Sequence, residues 1–134
     1  MAASKYDFDI EQGSSFTISI VYKNSEQLPV DLTGWCARLT WRTDDNKVSV
    51  FSSDNLDNNL YKFFIDGING KLTLMIPAVT TNSFTYNSAK YDLELQSPND
   101  LYNGGGKYTT RILFGVINFV RRYSREQSAL DCDL

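Results

Sequence analysis

None of the 134 residues of this chain is histidine, so carboxylates are the most numerous candidates for acid–base chemistry. That composition excludes Ser-His-Asp and Cys-His catalysis and the zinc sites that use imidazole ligands. Among the 16 Asp and Glu residues, Asp7, Asp9 and Glu11 form one close group. They alternate with apolar residues, which is typical of the solvent face of a strand. We therefore predict no catalytic residue, no cofactor and no enzymatic activity.

Two loops partly match ion-binding or phosphate-binding motifs. The segment from Asp54 to Asn59 is rich in Asp and Asn, but Leu56 takes a ligand position and no glutamate closes a calcium loop. The segment from Gly104 to Lys107 lacks the first Gly and the Ser or Thr of a P-loop, and it precedes a predicted strand. We interpret both segments as turns and predict no metal site.

Strict alternation of apolar and polar residues predicts strands that bury one face. An elbow from Pro29 to Gly34 joins the first two long ones. In it Asp31 and Thr33 can bond nearby backbone, and Gly34 permits a positive φ. The segments with strand character are residues 6–10, 15–23, 35–42, 47–52, 61–65, 71–76, 89–97 and 107–120, with a helical turn at 78–83 and a loop at 98–106. Seven or eight short strands indicate a single all-β, Ig-like antiparallel β-sandwich. We assign residues 1–122 to this domain and residues 123–134 to a C-terminal tail or assembly arm.

The composition of the chain argues against nucleic acid and membranes as partners. The hydrophobic content of 42% fits one folded domain, and the net charge of −3 disfavours a nucleic-acid binder. No run of 18 apolar residues could span a membrane, and the N-terminus lacks the apolar core of a signal peptide, so we expect assembly in a cytoplasm. Cys36 and Cys132 could form a disulfide, but a reducing compartment favours two free thiols.

The last predicted strand is apolar on both sides, with Ile112, Phe114 and Val116 in one phase and Leu113, Ile117 and Phe119 in the other. Such a strand is either covered on both faces, for example by Arg and Tyr side chains, or available to a partner. Arginines follow it closely, and arginine is enriched at protein interfaces. The tail after them could order on a neighbouring subunit through its apolar residues. The predicted interface residues are Arg111, Phe114, Val116, Arg121, Arg122, Tyr123, Arg125, Leu130 and Leu134.

The sequence also resembles a known family. Residues 10–16 (Ile-Glu-Gln-Gly-Ser-Ser-Phe) and 29–35 (Pro-Val-Asp-Leu-Thr-Gly-Trp) are similar to stretches of small bacteriophage virion proteins related to the N-terminal domain of the phage baseplate upper protein. Segments 70–76, 91–95 and 110–117 fit the same pattern, so the resemblance covers roughly residues 6–120. It implies a structural protein of the virion tail or baseplate that binds copies of itself and other virion proteins.

Two other functions remain open at this point. A head-decoration protein of the capsid needs the same compact fold and an arm. A receptor-binding or carbohydrate-binding module would use exposed rings, for which Tyr86, Tyr102 and Tyr108 lie in or near predicted loops. Most other aromatic residues fall in phase with the core, which favours the structural function.

Overall fold

The computed structural model describes residues 3–54, 59–100 and 106–121. Within these ranges the chain is almost entirely β-structure, and its strands form two sheets, so the predicted all-β sandwich is confirmed. The strands are β1 (Ser4–Lys5), β2 (Phe8–Glu11), β3 (Phe16–Val21), β4 (Cys36–Thr43), β5 (Val48–Ser52), β6 (Lys62–Asp66), β7 (Lys71–Ile76), β8 (Ser88–Asp100) and β9 (Lys107–Val120), with a helical turn α1 (Ala78–Thr81) after β7.

The large sheet has six strands in the order β1-β9-β8-β4-β5, and β2 also pairs with β9. The small sheet has the order β3-β7-β6. Only β1 and β2 run parallel to their partner, β9; the other paired strands are antiparallel. The last strand is therefore central in its sheet, with neighbours on both sides.

The core between the sheets is aromatic at one end. Trp41 on β4 is 1% exposed, and its ring centroid lies 4.6 Å from that of Phe51, 5.2 Å from Phe84 and 5.4 Å from Phe119. Aromatic rings of different strands and of the loop after α1 thus join the elements that meet there. Alternation along β4 is confirmed, since Ala37, Leu39 and Trp41 are all buried.

One predicted phase is wrong. Ile112 was assigned to the same side as Phe114, but it is buried on the core side with Ile117. The reason is a β-bulge: Leu93 pairs with Leu113 and the next residue, Glu94, pairs with Arg111, so Ile112 is an extra residue in β9. The bulge reverses the phase, and Arg111 and Phe114 consequently lie on the same outer side of the sheet.

The predicted loop at 98–106 also began too early, because β8 continues through Pro98 to Asp100. The register between β8 and β9 is irregular between Gln96 and Asp100. A proline is tolerated at such an irregularity because no regular ladder bond requires its missing N–H.

The elbow between β3 and β4 contacts the turn between β6 and β7. The carboxylate of Asp31 accepts bonds from the backbone N–H of Thr33 (2.9 Å) and from its hydroxyl (2.6 Å), and Gly34 has φ of +81°, as the sequence predicts. The N–H of Leu32 donates to the carbonyl of Gly67 at 2.7 Å, and the Leu32 side chain is completely buried. Leu32 is therefore the fully buried anchor of this connection, and Val30 and Trp35 pack against the core beside it.

The N-terminal segment is fixed on β9 around Gly115. A Cβ at Gly115 would lie 2.3 Å from the carbonyl oxygen of Tyr6, so only glycine allows this approach. The carboxylate of Asp7 accepts a bond from the N–H of Val116 at 2.8 Å. The Tyr91 hydroxyl donates to the Tyr6 carbonyl, and burial of Tyr91, with the nearby Asp7 charge as a second cause, raises its pKa to about 12. Both residues between β1 and β2 are therefore held by hydrogen bonds, Tyr6 to Tyr91 of β8 and Asp7 to Val116 of β9.

We expect Leu32→Ala to lower the free energy of unfolding by about 2–5 kcal/mol, because a fully buried leucine leaves a cavity when truncated. Chemical denaturation monitored by tryptophan fluorescence measures this. Leu28→Ala is the matched control, since Leu28 is 55% exposed in the same connection. Equal losses in the two variants would contradict the anchoring role of Leu32.

We expect Gly115→Ala to displace the N-terminal segment and to cost about 1–3 kcal/mol, the range typical of overpacking. The local readout is hydrogen exchange of the Tyr6 and Val116 amides, which are bonded to Phe114 and Asp7. Val116→Ala is the control because it keeps both backbone bonds. Unchanged protection of these amides in Gly115→Ala would show that β1 and β2 do not depend on the close approach.

Candidate interface on the large sheet

The side of the large sheet that points away from the core is the candidate functional surface, and we call it the outer face. Strand register orders the part of this face around the groove described below in three rows that cross the sheet. The first row is Val48, Arg42, Lys90 and Val116. The second row is Val50, Thr40, Asp92 and Phe114, with Lys5 beside Phe114. The third row is Ser52, Arg38, Glu94 and Arg111.

An open groove of about 520 Å³ runs along this face. Its floor is apolar on the β9 side, where Phe114 and Val116 are half-buried, and Val48 stands 47% exposed on the opposite, β5 side. Lys5, Arg42 and Lys90 also line it, and all three are exposed. The groove therefore combines an apolar floor with cationic side chains that can reach above it.

The groove region of the outer face is cationic although the whole chain carries a net charge of −3. At the β2 edge of the same face, Asp9 and Glu11 pair with Asn118 and Val120 and are exposed. Arg38 forms an ion pair with Glu94, with 3.0 Å between Nη2 and Oε1. Lys5, Arg42 and Lys90 form no ion pair with any described residue. Their charges thus remain available to an anionic partner.

Arg111 and Phe114 interact directly within this face. The Arg111 guanidinium carbon lies 4.7 Å from the centroid of the Phe114 ring, which is a cation–π geometry. The guanidinium of Arg111 consequently covers part of the half-buried ring. Coverage by an arginine side chain is one of the two alternatives that the doubly apolar strand left open.

Asp92 lies in the middle of the groove and is half-buried. Burial raises the pKa of its carboxyl above the usual value, and the neighbouring Glu94 charge raises it further. The Arg111 and Arg38 charges act in the opposite direction but do not cancel the shift. A carboxylate on the floor of the groove is therefore disfavoured by burial. A carboxylate at the rim of the groove would instead lie near the cationic side chains that line it.

The structure brings together only part of the predicted interface set. Arg111, Phe114 and Val116 lie on the outer face. Arg121 lies beyond it at the end of β9, where its guanidinium donates to the Asn87 side-chain oxygen at 3.0 Å and to the Thr85 carbonyl at 3.4 Å. The remaining predicted residues, Arg122, Tyr123, Arg125, Leu130 and Leu134, lie outside the described residues.

Sequence reasoning missed the residues that complete this face on the other strands. These are Lys5, Thr40, Arg42, Val48, Val50, Lys90 and Asp92. Each lies in the outward phase of its strand, so the signal was present. Only the strand order, which the sequence does not give, shows that these residues are neighbours of Phe114 and Val116.

The aromatic residues proposed for sugar stacking pack against other rings and are half-buried where they are described. The Tyr86 ring lies 4.7 Å from that of Phe119, and burial raises its pKa. Tyr108 packs edge-on against Trp35 at 6.2 Å. Tyr102 lies outside the described residues. Neither described ring is thus a free platform for a sugar.

The remaining candidate features are the loop that begins at Asp54, a metal site, the two cysteines and a membrane span. The Asp54 carboxylate accepts a bond from the Ser52 hydroxyl, and residues 55–58 of that loop lie outside the description. No group of three acidic, Cys or His side chains suited to a metal ion occurs among the described residues. Cys36 faces outward near Gln96, and Cys132 is not among the described residues. No helix in the described part is long and apolar enough to span a membrane.

Comparison with known proteins adds no relatives. No family model matches this chain, and no curated protein matches its sequence.

We expect Asp92→Asn to stabilise the fold at pH 7. This advantage should disappear as the pH falls below the pKa that the Asp92 carboxyl has in the unfolded chain. Because the pKa of this carboxyl is higher in the folded state than in the unfolded chain, the free energy of unfolding falls as the pH rises from the unfolded-state pKa to the folded-state pKa. Thermal unfolding of both proteins between pH 3 and pH 8 tests this. Asp44→Asn, at an exposed position of the β4–β5 turn, is the control. A gain that is constant across this range would contradict the assignment to ionisation of Asp92.

Proposed function

We propose that this chain is a non-enzymatic structural protein of a bacteriophage virion, located in the tail or baseplate. It assembles in multiple copies and with other virion proteins, through strand faces and terminal arms, after synthesis in the host cytoplasm. The observation that carries the proposal is the outer face: a sheet with a partly apolar groove and three cations, Lys5, Arg42 and Lys90, that form no ion pair with a described residue. Such a surface suits binding of a protein partner.

The resemblance to phage virion proteins supports the same proposal. Its motifs lie on the elements that build the sandwich: the elbow that buries Leu32, strand β7, strand β8, and the central strand β9. They are therefore spread over both sheets. A resemblance distributed in this way concerns the whole domain, which is what a shared structural function requires.

We further infer that the sandwich is Ig-like. The small-sheet order β3-β7-β6 matches strands B, E and D of an immunoglobulin domain. The order β9-β8-β4-β5 matches strands G, F, C and C′ of the variable type. The N-terminal strands β1 and β2 pair with β9, which corresponds to strand G, so in this respect the chain differs from the constant type, whose first strand lies beside strand B.

The mechanism that follows is geometric. A domain with a dense core keeps its surface in one shape, so every copy presents the same groove at the same angle. Closed symmetry then repeats each contact around a ring, and contacts that are weak alone become strong together. No bond is made or broken, and the specificity comes from shape and charge.

The test is to locate the protein by cryo-electron microscopy of purified particles of the phage that encodes it. We expect density for the sandwich at the tail or baseplate, repeated by the local symmetry, with the outer face in contact with a neighbour. Density on the capsid lattice would replace this proposal with head decoration. Absence from the particle, checked by mass spectrometry of the same preparation, would overturn it.

A further inference from the structure

The C-terminal residues 126–134 have a composition that complements the outer face. This stretch, which we call the acidic segment, is Glu-Gln-Ser-Ala-Leu-Asp-Cys-Asp-Leu and contains three carboxylates and no cation. In an extended chain Leu130 and Leu134 fall on one side, and Asp131 and Asp133 on the other. The acidic segment thus offers an apolar side and an anionic side, each at regular spacing.

The groove contains side chains that can contact both the apolar and the anionic side of the acidic segment. Phe114 and Val116 form an apolar floor, and side chains opposite each other on adjacent strands are about 5 Å apart, so Lys90 stands beside Val116. The long stems of Lys5, Arg42 and Lys90 allow their charged ends to reach carboxylates that point away from the floor. Apolar contact and charge pairing can therefore form together.

The end of β9 gives the starting point of the tail that contains the acidic segment. Arg121 is bonded to Asn87 and Thr85 beyond the end of the groove. Four residues, 122–125, connect Arg121 to the acidic segment. In a protein that assembles in many copies, the nearest free groove can belong to a neighbour.

From these observations we propose that the acidic segment of one copy binds the outer-face groove of a second copy. This inference rests on the proposed assembly function and names the surface and the partner for it. Its two halves contain most of the predicted interface residues: Arg111, Phe114 and Val116 on the groove, and Leu130 and Leu134 on the segment.

A charge-exchange experiment on the full chain tests the pairing. The groove variant carries Arg42→Glu and Lys90→Glu, and the segment variant carries Asp131→Lys and Asp133→Lys. Sedimentation velocity at low ionic strength measures self-association. We expect each variant alone to associate about tenfold more weakly than wild type, because two attractive pairs become repulsive. An equimolar mixture of the two variants should regain association, since each now complements the other.

The matched control is Lys23→Glu with Lys71→Glu, which makes the same change of charge away from the outer face and should associate like wild type. Circular dichroism of all variants verifies that they fold. Wild-type association that none of the variants weakens would overturn the groove as the binding site. A wild type that stays monomeric at every concentration would overturn the second copy as the partner. Neither result depends on where the protein lies in the particle, so a failure here is distinct from a failure of the virion proposal.

Discussion

The arrangement of the outer face depends on one extra residue in β9. If β9 alternated without interruption, Arg111 would share the phase of Ile117 and Phe119 and would enter the core. The bulge at Ile112 turns Ile112 inward and leaves Arg111 outward over Phe114. A buried guanidinium without a partner would be strongly destabilising, so core packing and the cationic surface are both consequences of this irregularity. β-bulges often re-aim a side chain at a functional surface in this way.

Charge is distributed unevenly over the molecule. Around the groove the outer face presents mainly cations, whereas at its β2 edge it presents the exposed carboxylates of Asp9 and Glu11. Two copies that meet groove to groove would therefore repel each other. Contacts between unlike surfaces avoid this repulsion, and such heterologous contacts generate rings or filaments rather than two-fold pairs. The cationic groove thus disfavours isolated groove-to-groove dimers.

Much of this fold could be predicted from local pattern, and the failures have physical causes. The limits of β9, the elbow with its Asp31 bonds and the turn after Pro77 follow from alternation and turn chemistry, which act over a few residues. The phase of Ile112 could not be predicted, because a bulge is stabilised by the partner strand and leaves no local signature. The same holds for the groove. Arg42, Lys90 and Val116 become neighbours only through strand order, which depends on packing across the whole chain.

The pairing of β1 and β2 with β9 has a consequence for the timing of synthesis. The bond between Asp7 and Val116 joins residues 109 positions apart, so the large sheet is incomplete until the ribosome has nearly finished this stretch of the chain. At about 5–20 residues per second, the first strands wait roughly 5–20 s for their partner. During that interval Phe8 and Ile10 remain unpaired and prone to incorrect association. Long-range pairing of this kind also slows folding itself, so production of this protein is sensitive to chaperone supply and to translation rate.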